Sequence, residues 1–328
     1  MKCAAFSLAL LSLSFTSLGE IQPGEGAMIQ VAQEGEAAQR AVLITGASSG
    51  IGRKTAEVLA AEGFYVYAGA RKEKDLKELS AIPNIEGVRL DVTVQSEIDK
   101  AVETVRAGGR GLYGLINNAG VAALAPLIEL SDKDFDFVMD VNVSGPFKVS
   151  KAFAPLLIES KGRISTTGSI SGVLAWPMGG VYCMSKHAME AFSDCLGVEL
   201  ASFGVPVSIV EPGNYKSSIS ASVYDRAKES GYASAGSLYK ERMDQMLGKR
   251  NDRSEHKDPD EVADAFLRFL TDDKPQRRYM VVPNQSEADM TVKAALSRFV
   301  ELNAHQPYSY DREGLIELLD EALANLEK

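Results

Sequence analysis

Short apolar runs alternate with longer helical patterns along most of this chain, and that alternation limits what it can fold into. The strand-like runs lie at residues 41–45, 64–69, 86–90, 112–116, 162–167, 205–210 and 278–282. Helical patterns lie between most of them, at residues 72–80, 95–107, 131–159, 181–202 and 259–271. Strands that alternate with helices predict a parallel sheet with helices on both faces. We therefore predict an α/β fold of the Rossmann type, with a doubly wound parallel sheet of about seven strands.

The length and composition favour one large α/β domain. The chain has 328 residues, and its apolar and charged contents of 45% and 24% are ordinary for a globular protein. We place the folded domain at residues 40–285, with a segment at 214–256 that could cover a ligand and a helical extension at 286–328. The net charge of −10 argues against nucleic acid as a partner, because phosphate backbones require a basic surface.

The first 19 residues have the composition of a secretory signal peptide. Lys2 precedes an apolar run at 4–18, and small residues follow at 17–19, where a signal peptidase would cut. This pattern predicts an exported, periplasmic protein, with residues 20–39 as a flexible leader. Two alternatives stay open: an uncleaved N-terminal membrane anchor, or a cytoplasmic protein that starts at Met28.

The three cysteines indicate neither a disulfide nor a metal site. Cys3 would leave with the signal peptide, and Cys183 and Cys195 are 12 residues apart on one predicted helix. That separation corresponds to about 18 Å, too far for an intrachain disulfide. We predict no bound metal.

A glycine-rich turn follows the first strand and opens the first helix. Free N–H groups at such a helix N-terminus would meet the pyrophosphate of a dinucleotide, and glycines let the backbone come close to it. A tight strand-to-helix connection with no ligand is the alternative. The predicted cofactor contacts in this turn are Thr45, Gly46, Ser48, Ser49, Gly50, Ile51 and Gly52.

The residues after the next three strands would set the adenosine end of that ligand. No acidic residue ends the second strand, and Arg71 follows it directly, which favours a ribose 2′-phosphate and hence NADP over NAD. A surface pair between Arg71 and Glu73 or Asp75 is the alternative. Further contacts are predicted from Asp91 and Val92 around the adenine, and from Asn118, Ala119 and Gly120 at the ribose.

Tyr182, Lys186 and Ser169 form the candidate chemical centre. Residues four apart on a helix share one face, with about 5–6 Å between their Cβ atoms, so the Lys186 ammonium can approach the Tyr182 phenol. A nearby cation lowers the pKa of a phenol, which is otherwise too high for proton transfer at neutral pH. Ser169 precedes the tyrosine by 13 residues, within Gly168–Gly172. Taken alone, the Tyr182 and Lys186 pair could equally be an aromatic ring packed over a lysine stem.

Taken together, these motifs resemble the short-chain dehydrogenases/reductases. The matching features are Thr-Gly-x-x-x-Gly-x-Gly at 45–52, Asn-Asn-Ala-Gly at 117–120, Asn142, Ser169, Tyr-x-x-x-Lys at 182–186 and Pro212-Gly213. Over residues 40–285 the resemblance implies a dinucleotide-binding catalytic domain. It makes Tyr182 the general acid/base, Ser169 the group that polarises the substrate oxygen, Lys186 the ribose-binding cation that lowers the phenol pKa, and Asn142 the anchor of a proton-relay water.

The resemblance also suggests what the chain acts on. Residues 211–215 and the long C-terminal portion are most similar to the branch that acts on retinol, hydroxysteroids and related apolar alcohols. Pro212, Gly213 and Tyr215 complete the predicted cofactor contacts. Trp176 and Met178, with Ser169 and Tyr182, are the predicted substrate contacts, although the apolar side chains could equally belong to the core.

We therefore predict an oxidoreductase that transfers a hydride between NADP(H) and the alcohol or carbonyl group of a small apolar substrate. A dinucleotide-binding sensor without catalysis and a nucleotide-sugar epimerase or dehydratase are the alternatives. Family members commonly pair through the helices matching 131–159 and 181–202, so a homodimer or homotetramer is expected. The last helix, at 312–327, has a broad apolar face that predicts packing against the domain or a partner subunit.

Overall fold

A computed structural model describes residues 39–229, 236–247 and 253–326 of the chain. Its centre is a parallel sheet of seven strands in the order β3-β2-β1-β4-β5-β6-β7. The strands are β1 Ala41–Ile44, β2 Tyr65–Ala70, β3 Ile85–Arg89, β4 Gly114–Asn117, β5 Arg163–Thr167, β6 Val207–Pro212 and β7 Arg278–Val281. The strand order reverses between β1 and β4, as in a doubly wound Rossmann fold, so the predicted fold class is confirmed.

The strands are apolar because helices cover both faces of the sheet. The helices on the domain are α1 Gly50–Ala61, α2 Glu73–Ser80, α3 Gln95–Ala107, α4 Asp132–Met139, α5 Gly145–Glu159, α6 Gly180–Ala201 and α9 Asp260–Thr271. One core lies where α1 and α9 pack on the sheet, and includes Leu59, Phe266 and Phe269. A second core on the opposite face includes Leu115 and Phe153. Burial on both faces explains why the strand sequences are continuous apolar runs.

The single helix predicted at 131–159 is wrong, because it is interrupted at Asp140–Ser144. These five residues form a π-helical segment between α4 and α5. Pro146 stands in the first turn of α5, where its missing N–H needs no partner, so a new helix can begin there. Gly145 permits close packing, since a Cβ atom at this position would lie 2.7 Å from Val92 Cγ2. Such π-helical insertions often occur at functional sites, and this one contains Asn142.

The segment predicted at 214–256 follows β6 and adds two helices without a described strand. They are α7 Ile219–Glu229 and α8 Lys240–Leu247, while residues 230–235 and 248–252 lie outside the described part. The segment approaches the glycine-rich turn, because Ser218 Oγ lies 3.1 Å from Ser49 Oγ. It therefore lies at the carboxyl edge of the sheet, where ligands bind in this type of fold.

Two helices follow the last strand, α10 Gln285–Ala304 and α11 Arg312–Leu326. The apolar face predicted on the last helix is present, but no residue of α11 is buried by the rest of the described chain. On this face Leu315 and Leu318 are half-buried, while the exposed side chains are Ile316, Leu319, Leu323 and Leu326. Among the described residues, no helix is both long and apolar enough to cross a membrane. The predicted signal peptide and nearly all of the predicted leader, residues 1–38, lie outside the described residues.

Candidate active site

Tyr182, Ser169 and Lys186 come together at the carboxyl edge of the sheet. Ser169 follows β5 and begins a short 3-10 turn at Ile170–Gly172, while Tyr182 and Lys186 lie in the first turns of α6. The Ser169 hydroxyl lies close enough to the Tyr182 phenol to lower the phenol pKa. The Lys186 ammonium lies 5.7 Å from the centre of the Tyr182 ring. The three side chains predicted from the sequence are thus one cluster in space.

Lys186 is buried, and a backbone carbonyl holds its ammonium. Nζ donates a hydrogen bond of 2.8 Å to Thr167 O, at the end of β5. Burial lowers the pKa of Lys186 to about 8, an effect that the carboxylate of Glu190 opposes. A cation with an accessible neutral form is therefore fixed beside the phenol.

The pKa of Tyr182 is raised above its usual value. Burial is the main cause, and it outweighs the effects of the neighbouring Ser169 hydroxyl and of the positive charge of Arg253, which both lower the pKa. The sequence pointed to Lys186 as the cation acting on the phenol. The structure adds Arg253, whose guanidinium charge acts on Tyr182 and on Glu287.

Asn142 is buried in the π-helical segment, and its amide joins three parts of the site. Oδ1 accepts a hydrogen bond of 2.8 Å from Val121 N, and Nδ2 donates to Val121 O and to Ser185 Oγ. A Cβ atom at Gly120 would lie 3.7 Å from Asn142 Oδ1 and 3.9 Å from Lys186 Nζ. Asn142 and Lys186 thus both lie near Gly120, and the role of Asn142 in a proton relay stays a prediction.

The glycine-rich turn is locked against the loop that follows β4. Thr45 Oγ1 accepts from the N–H groups of Asn118 and Ala119, at 2.9 and 3.0 Å. A Cβ atom at Gly46, whose φ is +66°, would lie 2.7 Å from Ala119 Cα, and one at Gly52 would lie 2.3 Å from Asn118 Nδ2. Both glycines are required by these close approaches. Thr45 and Asn118 thus shape the cradle through their own hydrogen bonds.

The start of α1 can accept an anion. Ser48 and Ser49 are exposed, Gly50 has φ +56°, and Ile51 packs on the core beneath. Ser49 is the N-cap residue, but within the described chain its side chain makes no hydrogen bond to the helix. Free N–H groups at a helix start bind phosphate oxygens, so this end of the helix fits a pyrophosphate.

Arg71 pairs with Asp91, and the two residues come from neighbouring strand ends. Arg71 Nη1 lies 3.6 Å from Asp91 Oδ2, and the arginine side chain is 61% exposed. Hydrogen bonds from Thr93 and the charge of Arg71 lower the pKa of Asp91 despite its burial. Arg71 forms this ion pair with Asp91 rather than with the alternative partners Glu73 and Asp75. Val92 is buried in the core beside Gly145.

The turn after β6 is held by a residue that the sequence did not single out. Glu287 Oε2 accepts a hydrogen bond of 2.8 Å from Asn214 N, and it occupies the space that a Cβ atom at Gly213 would need, at 2.2 Å. Asn284 caps α10 through Glu287 N, and Glu287 Oε1 returns to Asn284 Nδ2. This capping box, Asn-x-x-Glu, was readable in the sequence. Its contact with the turn that follows Pro212 was not.

Tyr215 does not line the site as predicted. Its side chain is 1% exposed and belongs to the core formed with α9, where its hydroxyl donates to Glu261. Burial and the Glu261 carboxylate raise the pKa of Tyr215 strongly. The side chain is therefore a core residue, which corrects the predicted role in ligand contact.

Of the two predicted apolar substrate contacts, one is accessible. Trp176 is 36% exposed, its Nε1 donates to Ser171 Oγ at 3.2 Å, and its ring lies over Gly179. Met178 is 5% exposed and has φ +70°, an unusual backbone conformation for a side chain of this size. Trp176 can reach a ligand, whereas Met178 supports the wall behind it.

The fold and the site define a dinucleotide-binding protein of the doubly wound class, and comparisons with known proteins identify its family. Residues 40–228 match the model of the short chain dehydrogenase family. An uncharacterized oxidoreductase, YbbO, from Escherichia coli (strain K12) is 32% identical over 249 residues, which cover 75% of this chain and 87% of that protein. The chain belongs to the short-chain dehydrogenase family.

Two groups of relatives with named activities match the chain more locally. The mitochondrial D-beta-hydroxybutyrate dehydrogenase of Mus musculus is 38% identical over 193 residues, 56% of each chain. Retinol dehydrogenase 7 of Rattus norvegicus is 40% identical over 183 residues, 54% of this chain and 57% of that protein. The chain thus spans just over half the length of these relatives.

A solved structure shares the architecture. A short chain dehydrogenase/reductase from Burkholderia phymatum in complex with NAD has a TM-score of 0.69 and 25% identity, and the match covers 83% of this chain and 98% of that one. This agreement supports the fold and the sheet order.

Proposed function

We propose that the chain is an oxidoreductase that transfers a hydride between NADP(H) and the alcohol or carbonyl group of a small apolar substrate. The observation that carries this proposal is the cluster of Ser169, Tyr182 and Lys186, which lies at the same sheet edge as the glycine cradle. A bound nicotinamide dinucleotide would supply or accept the hydride. The chain's own residues would handle the proton and the charge on oxygen.

The roles of the three side chains follow from their contacts. Ser169 and Tyr182 converge on one position, where two hydroxyl donors stabilise charge that develops on a substrate oxygen. Tyr182 gives its proton to that oxygen in reduction and takes it in oxidation. Lys186 adds a fixed positive charge that favours the phenolate once a ligand has displaced water. The pair needs an oxygen-bearing carbon, which is why a carbonyl or alcohol is the proposed substrate group.

The test is an NADPH oxidation assay with a panel of aldehydes and ketones, together with Tyr182→Phe. We expect turnover on members of the panel, and a loss of about 100-fold or more in kcat for the variant, because general acid/base groups contribute on that scale. NADPH affinity should change little. Tyr308→Phe, at an 84% exposed tyrosine, is the matched control. NADPH binding without turnover on any compound would favour a sensor, and a Tyr182→Phe variant with most of its kcat would refute the assignment.

NADP is proposed over NAD on the basis of Arg71. Its guanidinium is exposed at the end of β2 and pairs with Asp91 at 3.6 Å, a distance at which the ion pair is weak and can open for a 2′-phosphate. The Arg71→Asp variant should bind NADPH at least tenfold more weakly, since a charge-assisted contact would be replaced by repulsion. NADH affinity should be nearly unchanged. Equal weakening of both cofactors would contradict NADP selectivity at this position.

A second substrate class, hydroxy acids, is favoured by Arg253. Its positive charge acts at Tyr182, so a substrate held by the phenol would have a guanidinium near its other groups. Relatives of this chain include D-beta-hydroxybutyrate dehydrogenases. The comparison that separates the classes is kcat/KM for a 3-hydroxy acid against a neutral secondary alcohol of equal length. A clear preference for the acid favours this second class, whereas preference for longer neutral chains favours an apolar substrate.

Self-association is proposed through α5 and α6, the long helices expected from the resemblance. Their surfaces carry exposed apolar side chains, among them Phe147, Val198 and Phe203 just after α6, which are 50–71% exposed. Exposed apolar side chains mark a subunit contact where they form one contiguous patch. Light scattering coupled to size-exclusion chromatography should give a mass of two or four chains.

The proposed export is tested by N-terminal sequencing of the native protein.

A further inference from the structure

Behind Tyr182 and Lys186, two buried carboxyl groups meet one arginine. Glu190 comes from α6, Glu211 from β6 and Arg278 from β7. Arg278 Nε lies 3.3 Å from Glu190 Oε2 and 4.0 Å from Glu211 Oε1. The side chains of the two glutamates are only 16% and 8% exposed. Both carboxyls are therefore largely removed from water, in a place that the proposed chemistry does not use.

The ion-pair contacts in this cluster are unequal. Arg278 is shared with a third acid, since its Nη2 lies 2.7 Å from Asp194 Oδ2, and Arg277 Nη2 also contacts Asp194, at 3.1 Å. Lys186 lies one turn earlier on α6; its ammonium is bound to Thr167 O and acts on Glu190 only through its charge. These are the charged groups that face the pair from α6 and β7. Two guanidiniums thus meet three acids, and the more exposed acid, Asp194, takes contacts from both.

A single proton would relieve this inequality. Glu190 Oε1 is fully buried, and no hydrogen-bond donor among the described residues reaches it. Arg278 Nε lies within 4.0 Å of both carboxyl groups, so the two acids lie close together. Burial and the neighbouring Glu190 charge raise the pKa of Glu211 to about 8, so the pair keeps one proton at neutral pH. A proton on the pair adds a hydrogen-bond donor to a cluster in which one buried oxygen has none.

The pair touches the parts that hold the reacting groups. A Cβ atom at Gly172 would lie 2.6 Å from Glu190 Oε1, so this carboxyl supports the turn that begins at Ser169. Glu190 stands one turn after Lys186 on the same helix. Glu211 directly precedes Pro212 and Gly213 at the end of β6. A change in the pair would move the Ser169 turn, the helix of Tyr182 and the end of β6 relative to one another.

We propose that Glu190 and Glu211 form a proton-sharing positioning pair, which fixes the Ser169 turn against the helix that carries Tyr182 and Lys186. The role in turnover rests on the proposed oxidoreductase function. Loss of the shared proton would leave two adjacent carboxylates with one partly shared arginine, and their repulsion would loosen the contact under Gly172. Both glutamates act through other residues and need not touch substrate or cofactor.

Glu211→Gln is the decisive variant, because the amide keeps the shape and donates a hydrogen bond at every pH. Since the pKa of Glu211 is raised in the folded chain, the shared proton stabilises folding fully below about pH 4.5. That contribution is lost as pH rises toward 8. The thermal midpoint of the wild type should therefore fall relative to Glu211→Gln between pH 5 and 8. Glu199→Gln, at an exposed acid on the same helix, should follow the wild type.

Turnover tests the positioning role. In the direction of alcohol oxidation, where rising pH favours the tyrosine base, the wild type should lose kcat above pH 8 and Glu211→Gln should keep a several-fold larger fraction of its own. Glu211→Ala, which removes both shape and donor, should reduce kcat about tenfold at pH 7 with little change in the KM for NADP. If that variant does not fold, Glu190→Gln supplies the same comparison as a second amide.

Two results would overturn the proposal. One is a Glu211→Gln variant whose thermal midpoint depends on pH as that of the wild type does. This result would show that the two glutamates share no proton. The other is a variant that loses the pH-dependent stability difference yet keeps the wild-type pH profile of kcat, which leaves a structural role only. The stability arm requires neither cofactor nor substrate. Absence of turnover on all compounds would therefore count against the proposed function and leave the shared proton testable.

Discussion

The glycine-rich turn at 45–52 and the segment after β6 face the same edge of the sheet, but they are held in place differently. The turn is fixed by backbone proximity: two glycines stand where a Cβ atom would collide, and Thr45 Oγ1 accepts two N–H groups of the neighbouring loop. The segment after β6 is fixed by long side chains from distant elements, such as Glu287 of α10. The first arrangement tolerates almost no change, whereas the second can vary with the substrate.

The largest effect is expected on the cofactor side, for Gly52→Ala. Its Cβ atom would lie 2.3 Å from Asn118 Nδ2 and 2.5 Å from Gly46 O, so both loops must move apart. We expect a loss of about 3 kcal/mol in the free energy of unfolding and a fall of at least tenfold in NADPH affinity. Urea unfolding and fluorescence titration measure the two quantities.

Gly197→Ala is the matched control for that prediction. Gly197 lies within α6, and a Cβ atom there would make an ordinary contact of 3.6 Å with Val207. Alanine is favoured over glycine in helices by about 1 kcal/mol, so stability should stay equal or increase. If Gly52→Ala keeps the stability and the cofactor affinity of the wild type, the glycine-rich turn tolerates substitution as well as the segment after β6 does.

A smaller effect is expected on the substrate side, for Arg253→Gln. The arginine charge lowers the pKa of the Tyr182 phenol, so its removal should raise that pKa. In alcohol oxidation, the limb of the kcat/KM profile that reports ionisation of the phenol should move to higher pH, with a several-fold loss at neutral pH. Folding should be retained.

Arg106→Gln, at an exposed arginine on α3, is the control for Arg253→Gln. If Arg253 also holds a carboxylate, the loss should be greater for a 3-hydroxy acid than for a neutral alcohol. An unchanged pH profile together with unchanged substrate preference would remove Arg253 from the site.

The smallest effect is expected for Tyr215→Phe, which tests whether Tyr215 contacts a ligand or belongs only to the core. The Tyr215 hydroxyl donates to Glu261 within the core, so its loss should reduce the free energy of unfolding by about 1 kcal/mol. Turnover should remain within about twofold, because a core tyrosine does not contact ligand. A tenfold change in KM with unchanged stability would restore Tyr215 to the ligand site.

The cofactor side and the chemical centre were predictable because their signals are local. Strands show as apolar runs, the turn shows as glycines at fixed spacing, and Tyr182 and Lys186 show as two residues four apart on a helix. Even so, the helix predicted at 131–159 was wrong, since periodicity does not reveal the π-helical insertion at Asp140–Ser144. The hydrogen bonds of Asn142 depend on that insertion.

The sequence by itself determined the parallel sheet, the glycine cradle and the shared helix face of Tyr182 and Lys186, because short-range sterics and hydrophobic periodicity act within a few residues. Ser169 was grouped with them through the family resemblance. Only the tertiary structure decided that Tyr215 is core, that Arg253 and Glu287 reach the site, and that Glu190 and Glu211 share a buried corner with Arg278. These contacts join residues that are 21 to 88 positions apart, so they exist only after helices and strands have packed.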